Sequence, residues 1–429
     1  MLDDDVFYGS VYEYIRDALR HNLSIRVYDE HSNIVHTILS DDGSSCSIIN
    51  GEPYPIISNM VYSRNVIAKL LGAANDVELY MKINSVYNAT VKPNVKYMEF
   101  EKFFEKVDRN PIPLLKFYEE QSPRYFAGIV VSCINELCNA SIHRIMVLDE
   151  NYYCIRVVPR HLYRIIKTLG KPPAAIIIGV HPLVELVAAT SPPFGVYEIP
   201  LAAGIVGKHI ALCRTPIYNI PVPCGASIVI EGILNVDKCD EEPYVDILEL
   251  IDYKMRQPAF SVKAIYINKV FKPFLRIIVP GSVEHKVLMG LPREAQIYEL
   301  ASRVANIKKV RLLPQSGMWL IAVISLKKER EGEQISASLA AFTAHPSLKM
   351  VIVVDEDIDP DNIDQVLWAI ATRVKPKHDV IVIDKAVGST LDPSAEAGGL
   401  TSKLIIDATI PLNEDERKYR RCRRVHVPH

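Results

Sequence analysis

The sequence predicts a multidomain protein that combines α+β and α/β architecture, and three observations lead to this fold class. The chain has 429 residues, which is longer than a typical single hydrophobic core. Its middle part carries short runs of valine, isoleucine and tyrosine between prolines and glycines, a pattern typical of a β-barrel or β-sandwich. Its last third alternates strand-like and helix-like segments, which indicates βαβ units on a mostly parallel sheet. We therefore expect three domains, at residues 1–108, 109–295 and 296–429.

The first domain is predicted to be a small α/β unit. Apolar residues with helical spacing predict a helix over residues 12–21, and alternation predicts a strand over residues 23–28. A second apolar strand begins at Pro53. It leads into a helix that Ser63 would cap at the N-terminus and Gly72 would end. Strand and helix thus alternate, as an α/β unit requires.

The second domain is predicted to be rich in strands, with two helical inserts. Proline and glycine separate its apolar runs, so each run is short enough to be a single strand. The predicted helices lie at residues 161–169 and 182–189. The predicted strands lie at residues 127–133, 142–148, 154–158, 174–179, 210–214, 226–234 and 261–267.

The third domain is predicted to be an α/β unit that ends in a basic tail. Its predicted strands lie at residues 310–313, 319–325, 350–355 and 379–383, and its predicted helices at residues 334–344 and 362–372. The segment from Arg417 through Arg424 contains six Lys or Arg residues. We interpret this cluster as a solvated tail or a subunit contact rather than a patch for an anionic partner.

The charge balance argues against nucleic-acid and membrane-surface binding. Lys and Arg number 49 against 51 Asp and Glu, so the formal net charge is only −2. An apolar run of about 18 residues, which a membrane-spanning helix needs, does not occur in the sequence. The chain opens with the acidic letters M-L-D-D-D, where a signal peptide would be basic. We therefore expect a cytoplasmic protein without nucleic-acid or membrane partners.

The eight cysteines are scattered along the chain and form no C-x-x-C pair. This spacing excludes a zinc ribbon and a thioredoxin motif. Most of the cysteines stand beside valine and isoleucine, so we expect small buried hydrophobic side chains. Disulfide bonds are not expected in a reducing compartment.

Three residues from separated segments form a candidate metal site. Asn139 lies in C-N-A-S-I-H-R, His161 follows in V-V-P-R-H, and Glu198 ends P-P-F-G-V-Y-E. Their amide oxygen, imidazole and carboxylate are suitable ligands for a hard divalent cation. Taken singly, His161 is equally a surface histidine at the start of a helix, and Glu198 an exposed carboxylate at a strand end.

A second candidate set combines one arginine with two acids. Arg144 closes the same C-N-A-S-I-H-R motif, and Glu241 and Asp246 lie in E-E-P-Y-V-D. A guanidinium can bridge two carboxylates and fix their geometry. Asp246 would act as a proton donor if burial or a like-charged neighbour such as Glu241 raised its pKa. The alternative is an acidic surface loop, because three further acids lie close by in the sequence.

The order and spacing of both sets resemble those of the UbiD family of decarboxylases, which use prenylated FMN. Similar motifs continue through the last third of the chain, with V-V-D-E-D-I-D at 353–359, W-A-I-A-T-R at 368–373, L-D-P-S at 391–394 and I-D-A-T at 406–409. The resemblance therefore covers nearly the whole chain. It implies that the central domain is a split β-barrel of the flavin-reductase type.

The resemblance also implies a cofactor and two metals. In that family the Asn, His and Glu hold a metal against the cofactor phosphate. It implies manganese (Mn2+), or magnesium (Mg2+), at Asn139, His161 and Glu198, with a potassium ion (K+) nearby. The other residues expected to contact prenylated FMN are Ser141, Ile142, His143, Arg144, Pro159 and Arg160. One departure is that Ile335 stands where the family has a phosphate-directed lysine, and Lys327 and Lys328 are the alternatives.

The function implied is a reversible, non-oxidative decarboxylation of an α,β-unsaturated acid. In the family the cofactor's azomethine ylide adds across the double bond, carbon dioxide leaves, and an acid at the position of Asp246 returns a proton. The chain most resembles short archaeal members, some of which convert trans-anhydromevalonate 5-phosphate to isopentenyl phosphate in the mevalonate pathway. His285 and Lys286 are candidates for binding the substrate phosphate, with an ordinary exposed loop as the alternative.

Other readings of the same chain remain open at this stage. An aromatic, hydroxybenzoate-type acid is the alternative substrate, and a non-catalytic flavin-binding subunit is the alternative function. A flavin reductase on the same barrel would leave the two acids of the Arg144 set without a task. The resemblance further implies a flavin prenyltransferase that supplies the cofactor, and assembly into a homo-oligomer, either a dimer or a hexamer.

Overall fold

The computed structural model describes residues 3–252, 255–396, 398–419 and 421–422. Contacts divide the chain into two compact units, Met1–Pro292 and Arg293–His429. Three members of the predicted basic cluster, Arg420, Arg423 and Arg424, lie outside the described residues. None of the helices in the described ranges combines the length and apolar character that a bilayer crossing needs.

The first unit contains most of the strands. They are β1 (Val6–Phe7), β2 (Ile25–Tyr28), β3 (Cys46–Ile49), β4 (Ile56–Ser58), β5 (Asn94–Met98), β6 (Phe104–Val107), β7 (Tyr125–Ile134), β8 (Leu137–Val147), β9 (Tyr152–Ile155), β10 (Pro173–Ile178), β11 (His209–Arg214), β12 (Pro221–Pro223), β13 (Ile228–Asp240), β14 (Tyr244–Val245), β15 (Ile251–Asp252), β16 (Arg256–Asn268) and β17 (Leu275–Arg276). Its helices are α1 (Val11–Arg20), α2 (Ile34–Ser40), α3 (Arg64–Leu71), α4 (Asp76–Tyr87), α5 (Phe100–Phe103), α6 (His161–Leu169), α7 (Pro182–Ala189) and α8 (Glu198–Ile205), followed by α9 (Val283–Ala301), which contains Pro292.

A closed barrel forms the centre of this unit. Its strands follow the order β13, β10, β7, β8, β9 and β16, and β16 pairs back to β13. All six pairings are antiparallel. Inward-facing isoleucines and aromatic residues, including Ile145, Ile176 and Phe260, fill the core. The predicted β-rich middle of the chain is therefore confirmed, and closure makes it a barrel rather than a sandwich.

The N-terminal strands share sheets with strands from later in the chain. β1 and β5 both pair in parallel with β11, and β12 completes that sheet. A second sheet has the order β17, β4, β3, β2. Sequence periodicity is a local signal, so these distant pairings are visible only in the folded chain.

Most predicted elements are present with small shifts in their ends. α1, α6 and α7 lie where helices are predicted. Gly72 ends α3 with a φ of 63°, the left-handed conformation that glycine adopts most easily. Ser63 occupies the predicted N-cap position of α3, although its side chain makes no capping hydrogen bond.

The alternative reading of the segment around His285 as an exposed loop is also wrong. This segment is the first turn of α9, a 19-residue helix. The backbone N–H of Val283 donates to the Asp42 carboxylate at 3.0 Å. This first-turn N–H is therefore satisfied by a residue 241 positions away, which no local capping pattern could reveal.

The second unit has a mixed five-stranded sheet. Its strands are β18 (Asn306–Leu312), β19 (Ile321–Lys327), β20 (Met350–Asp355), β21 (Val380–Val387) and β22 (Leu400–Ala408), and its helices are α10 (Glu333–Ala344), α11 (Ile363–Arg373) and α12 (Pro376–Asp379). The pairings of β20 with β19 and with β22 are parallel, whereas β18 and β21 join the two edges antiparallel. The expected mostly parallel sheet is correct only for the interior. The two antiparallel pairs, β18–β19 and β21–β22, are consecutive strands with no α-helix between them, and such strands can pair antiparallel without a crossover.

The expectation about the cysteines is wrong for six of them. The structure has three disulfide bonds, Cys133–Cys138, Cys154–Cys239 and Cys213–Cys224. Cys133 and Cys138 are opposite each other on the paired strands β7 and β8, whereas Cys154 on β9 and Cys239 on β13 lie on either side of the shared neighbour β16. Sequence spacing alone does not reveal these placements. Cys46 is the buried thiol that was predicted, and Cys422 is an exposed one.

Candidate active site

Asn139 on strand β8 and Glu198 at the start of helix α8 are in direct contact. The Asn139 Nδ2 group donates to Glu198 Oε1 at 2.8 Å. The backbone N–H of Ala140 donates to the other carboxylate oxygen, Oε2, at 2.7 Å. Both side chains are buried. Glu198 is thus not an exposed strand-end carboxylate but the first residue of a buried helix that packs beside the barrel.

The environment of Glu198 fits a cation. Burial raises the pKa of its carboxyl to about 7, although hydrogen bonds from backbone and Asn139 act in the opposite direction. No cationic side chain is among the groups that shift this pKa. A buried carboxylate without a counter-charge is costly, and a divalent ion would supply that charge. The amide and carboxylate oxygens of this pair therefore suit Mn2+ or Mg2+.

His161 begins helix α6, and its ring packs edge-on against Phe194 at a centroid distance of 5.5 Å. Burial lowers the pKa of His161, and the positive charges of Arg160 and Arg164 lower it further. The imidazole is therefore neutral near pH 7, as a metal ligand must be. Within the described part of the chain, the hydrogen bonds that join Asn139 to Glu198 do not include His161.

The residues after Asn139 form a short polar relay along β8. Ser141 Oγ lies 3.3 Å from Asn139 Oδ1 and 2.8 Å from His143 Nε2. His143 Nδ1 lies 2.7 Å from the carbonyl oxygen of Arg156. Burial lowers the pKa of His143 to about 4, so its ring is neutral and orients Ser141.

The remaining predicted cofactor contacts border this strand. Ile142 is partly buried and lines a narrow crevice with Ile178 and the buried Glu185–Arg276 ion pair. Pro159 and Arg160, which precede α6, are exposed.

Arg144 pairs with Glu241 in a two-pronged arrangement. Arg144 Nε and Nη2 donate to the two Glu241 oxygens at 2.9 and 2.8 Å. The Glu241 side chain is 1% exposed and that of Arg144 is 10% exposed. The guanidinium also lies over the ring of Tyr244, 4.6 Å from its centroid. These contacts exclude the reading of Glu241 as part of an acidic surface loop.

The second acid that Arg144 contacts is Asp252, which the sequence analysis missed. Arg144 Nη2 lies 2.8 Å from Asp252 Oδ2. The predicted bridge from Arg144 to both Glu241 and Asp246 is therefore wrong, because Asp252 occupies the second position. In the sequence, Asp252 is only an acid at the end of D-I-L-E-L-I-D. The pairing of Tyr244 opposite Asp252 in the β14–β15 hairpin is the signal that places it there.

Asp246 lies in the turn of that hairpin and is buried. Its Oδ1 accepts hydrogen bonds from the backbone N–H groups of Leu248 at 2.7 Å and Leu250 at 3.2 Å. Burial raises the pKa of Asp246 despite these two bonds; the negative charge of Asp252 raises it further, and Arg144 opposes the rise. The like-charged neighbour is therefore Asp252 rather than Glu241.

His285 and Lys286 lie in the first turn of α9, close to this acid group. His285 Nδ1 accepts from the backbone N–H of Gly281 at 3.1 Å. Burial lowers the pKa of His285 to about 4, with Lys286 and Arg144 as further causes. His285 is thus a neutral hydrogen-bonding group and supplies no charge. Lys286 is cationic and pairs with Glu249 at 2.5 Å.

The lysines considered for the cofactor phosphate lie in the second unit. Lys328 is buried, and its Nζ lies 3.0 Å from both Glu331 Oε2 and Thr409 Oγ1. With Ile335 it lines a cavity of 640 Å³ in that unit. Lys327 is exposed. Lys328 therefore already has two partners, and Lys327 is the more accessible of the two cations.

Two family models together match more than half of the chain. The model for the 3-octaprenyl-4-hydroxybenzoate carboxy-lyase Rift-related domain, UbiD, matches residues 89–283. The model for the C-terminal domain of the same enzyme matches residues 286–408.

Known proteins resemble the chain along nearly all of its length. It is 43% identical over 373 residues to the anhydromevalonate phosphate decarboxylase of Aeropyrum pernix, which covers 85% of this chain and 84% of the relative. It is 33% identical over 411 residues to the protein of the same name from Methanocaldococcus jannaschii, which covers 92% and 95%. The UbiD-class enzyme HmfF from Pelotomaculum thermopropionicum, solved in complex with FMN, matches with a TM-score of 0.84 and 26% identity over 98% of this chain and 97% of that chain.

Proposed function

The chain belongs to the UbiD family of carboxy-lyases, and we propose that it decarboxylates trans-anhydromevalonate 5-phosphate to isopentenyl phosphate. The similarity to archaeal decarboxylases of anhydromevalonate phosphate, which runs through both structural units, supports this substrate. One geometric observation carries the chemistry. A buried aspartic acid with a raised pKa, Asp246, lies on the hairpin that the Arg144 guanidinium contacts.

The proposed cofactor is prenylated FMN, bound on the barrel beside strand β8. When bound, the flavin supplies the electron sink that loss of carbon dioxide requires. Ser141, Ile142 and His143 on β8 would contact it from one side, and Pro159 and Arg160 from the other. Asn139, His161 and Glu198 would hold a divalent cation, Mn2+ or Mg2+, against its phosphate, with K+ nearby. The buried, uncompensated Glu198 supports this assignment.

Asp246 is the proposed proton donor. Both hydrogen bonds that it accepts end at Oδ1, so Oδ2 is the oxygen that carries the proton. Burial and the Asp252 charge raise its pKa, which keeps the acid protonated at higher pH than an exposed aspartate. The Asp246 Oδ2 proton would be delivered to the substrate carbon that has lost carbon dioxide.

Arg144 and Glu241 orient this donor rather than replace it. The guanidinium is always cationic, and its planar fork matches the Glu241 carboxylate. Since both groups are buried, neither can rotate into water without losing its partner. The pair therefore holds one wall of the site rigid while Asp246 transfers its proton.

His285 and Lys286 are the proposed contacts for the substrate phosphate. His285 accepts a hydrogen bond at Nδ1, so its Nε2–H is a donor in the neutral ring. Lys286 supplies the positive charge, although Glu249 neutralises part of it. Because the Asp42 carboxylate already accepts from the backbone at the start of α9, the two side chains rather than the helix N-terminus would bind the phosphate.

The proposal extends to organisation and assembly. We propose domains at residues 1–108, 109–295 and 296–429, with the six-stranded barrel as the flavin-binding split barrel of the second. We also propose a cytoplasmic homo-oligomer that receives its cofactor from a flavin prenyltransferase. Edge strand β21 supports assembly, because Val382 and Val387 on it are 59% and 67% exposed.

The test is to purify the protein after co-expression with a flavin prenyltransferase and to record its absorbance spectrum. Release of carbon dioxide is then measured from trans-anhydromevalonate 5-phosphate and from a hydroxybenzoate in parallel. Turnover of the phosphorylated acid is expected. Turnover of the aromatic acid alone would instead favour the aromatic decarboxylase.

An Asp246→Asn variant separates an enzyme from a non-catalytic flavin-binding subunit. Asparagine keeps the oxygen that accepts from Leu248 and Leu250, so the turn is preserved. The variant should bind flavin and lose turnover. The matched control is Asp240→Asn, because Asp240 is 73% exposed and pairs only at the surface, with Arg256. Full turnover of the Asp246→Asn variant with bound cofactor would refute the donor assignment.

A further inference from the structure

We propose that Asp252 is a positioning residue of the reaction, which fixes the Arg144 guanidinium together with Glu241 and keeps Asp246 in its proton-carrying form. This inference rests on the proposed function, since it concerns the donor of the same decarboxylation. Asp252 lies at the end of strand β15, and nothing in its local sequence distinguishes it from other acids of the chain.

The guanidinium of Arg144 is held from two sides. Glu241, which follows strand β13, binds its Nε and Nη2 at 2.9 and 2.8 Å. Asp252 Oδ2 approaches Nη2 at 2.8 Å from the β14–β15 hairpin. The side chains of Arg144 and Asp252 are each 10% exposed, so water competes little for either group. One cation thus connects the barrel with the hairpin that carries the proton donor.

The contact with Asp252 is an ion pair without a well-aligned hydrogen bond. Asp252 Oδ2 is buried, and within the described residues it accepts no hydrogen bond although Nη2 is close. A second cation, the Nε of Arg156, lies 4.0 Å from the same oxygen. Charge attraction to two arginines therefore holds this carboxylate, so its contribution at this position depends on its negative charge rather than on a hydrogen bond.

The hairpin couples Asp252 to Asp246 mechanically. Tyr244 pairs with Asp252, and Val245 pairs with Ile251, so the two strands end in the turn that contains Asp246. The backbone N–H of Asp246 donates across this turn to the Leu250 carbonyl at 2.9 Å. Arg144 holds the hairpin at Asp252 and over the Tyr244 ring. A shift of Asp252 would therefore move the donor as well.

Asp252 also acts on Asp246 through charge. Its negative charge favours the protonated form of Asp246, whereas the positive charge of Arg144 favours the ionised form. Removing Asp252 takes away the like charge and leaves the guanidinium less neutralised, so both effects lower the pKa of Asp246. Around the two acids, the charged and titratable groups contributed by the neighbouring elements are Tyr118, Arg144, Arg156, Glu241, Tyr244, Glu249, His285 and Lys286.

The test is the pH profile of kcat for an Asp252→Asn variant carrying the cofactor. On the high-pH side of the profile, kcat falls as Asp246 loses its proton, and this descending limb should move to lower pH by about one unit. Asp252→Glu keeps the charge, so its limb should stay near that of the wild type even if kcat falls. The surface variant Asp240→Asn should leave the profile unchanged. A lost contact without an electrostatic role would lower kcat at every pH and leave the limb in place, and that result would overturn the proposal.

A second readout does not depend on turnover. In the cofactor-free protein, the infrared band of the protonated Asp246 carboxyl, assigned by its loss in Asp246→Asn, should disappear at lower pH in Asp252→Asn than in the wild type. Asp252→Ser, which is smaller and uncharged, replaces the Asn variant if the latter fails to fold. Inactivity of the wild type towards the phosphorylated acid would refute the proposed substrate, whereas an unshifted infrared titration would refute the role of Asp252.

Discussion

Binding of Mn2+ at Asn139, His161 and Glu198 should depend strongly on pH, with Glu198 as the cause. A carboxyl group must lose its proton before it can bind a metal. In the cation-free protein, burial raises the pKa of Glu198 to about 7. The pKa of His161 is lowered below its ordinary value of 6.5, so the imidazole loses its proton at a lower pH than Glu198 does. Below pH 7 the proton on Glu198 therefore competes with the metal.

The magnitude follows from the fraction of Glu198 that is ionised. With a pKa of about 7, this fraction falls about tenfold between pH 8 and pH 6, which corresponds to about 1.4 kcal/mol of metal-binding free energy. The folding stability of the cation-free protein changes with pH in the opposite direction to metal binding, because stability falls as pH rises. Its raised pKa stabilises the fold below the ordinary value of 4.5, and this stabilisation, about 3 kcal/mol, is lost as pH rises through 7. Metal binding offsets that loss.

The assay is titration of the purified protein with Mn2+ in the presence of FMN, followed by calorimetry or by the electron paramagnetic resonance signal of free Mn2+. The dissociation constant should rise about tenfold from pH 8 to pH 6. Glu198→Gln should bind Mn2+ weakly at every pH and lose this dependence. Glu136→Gln is the matched control, because the side chain of Glu136 is 83% exposed. An unchanged dissociation constant between pH 6 and 8, or strong binding by Glu198→Gln, would refute the reasoning.

Three further predictions follow from the same unit of the structure. Arg144→Lys loses the two-pronged contact with buried Glu241 and should destabilise the protein by about 2 kcal/mol in urea unfolding; an unchanged midpoint would contradict this. Gly281 has a φ of +68°, and the Cβ of a Gly281→Ala variant would lie 2.7 Å from the Glu249 side chain. The variant should therefore lose about 1–3 kcal/mol of unfolding free energy and show reduced turnover. Wild-type stability and turnover would contradict this. The Cys154–Cys239 bond closes a loop of 85 positions, so replacing both cysteines by serine should lower the unfolding free energy by up to about 4 kcal/mol. Mass spectrometry of unreduced peptides is the control for the bond. An unchanged unfolding free energy, or peptides without the bond, would contradict the prediction.

Local patterns were sufficient for most of the secondary structure. The strands of the barrel and the helices α6 and α7 lie where apolar spacing predicts them. Such spacing reports which face of a segment is buried, and that information is local. Helix α9 was not predicted from the sequence, because Gly290 and Pro292 interrupt its apolar spacing and a distant residue, Asp42, accepts from a first-turn N–H.

For the candidate site as well, some features follow from the sequence and others only from the structure. Its residue types and their order along the chain were sufficient to indicate the family and to select Asn139, Glu198, Arg144 and Glu241. The structure brings these together as two contacting pairs. The resemblance did not reveal that His285 is neutral, because its lowered pKa comes from burial.

The sequence by itself determined the family, the alternation of strands and helices, and which kinds of side chain are available for metal binding and proton transfer. Only the tertiary structure decided that Asp252 rather than Asp246 pairs with Arg144, that six cysteines form disulfides, and that the barrel closes between β13 and β16. The physical reason is the same in each case. Distances between residues far apart in the chain, and the burial that sets their pKa values, arise from packing of the whole unit, and no short window of sequence contains them.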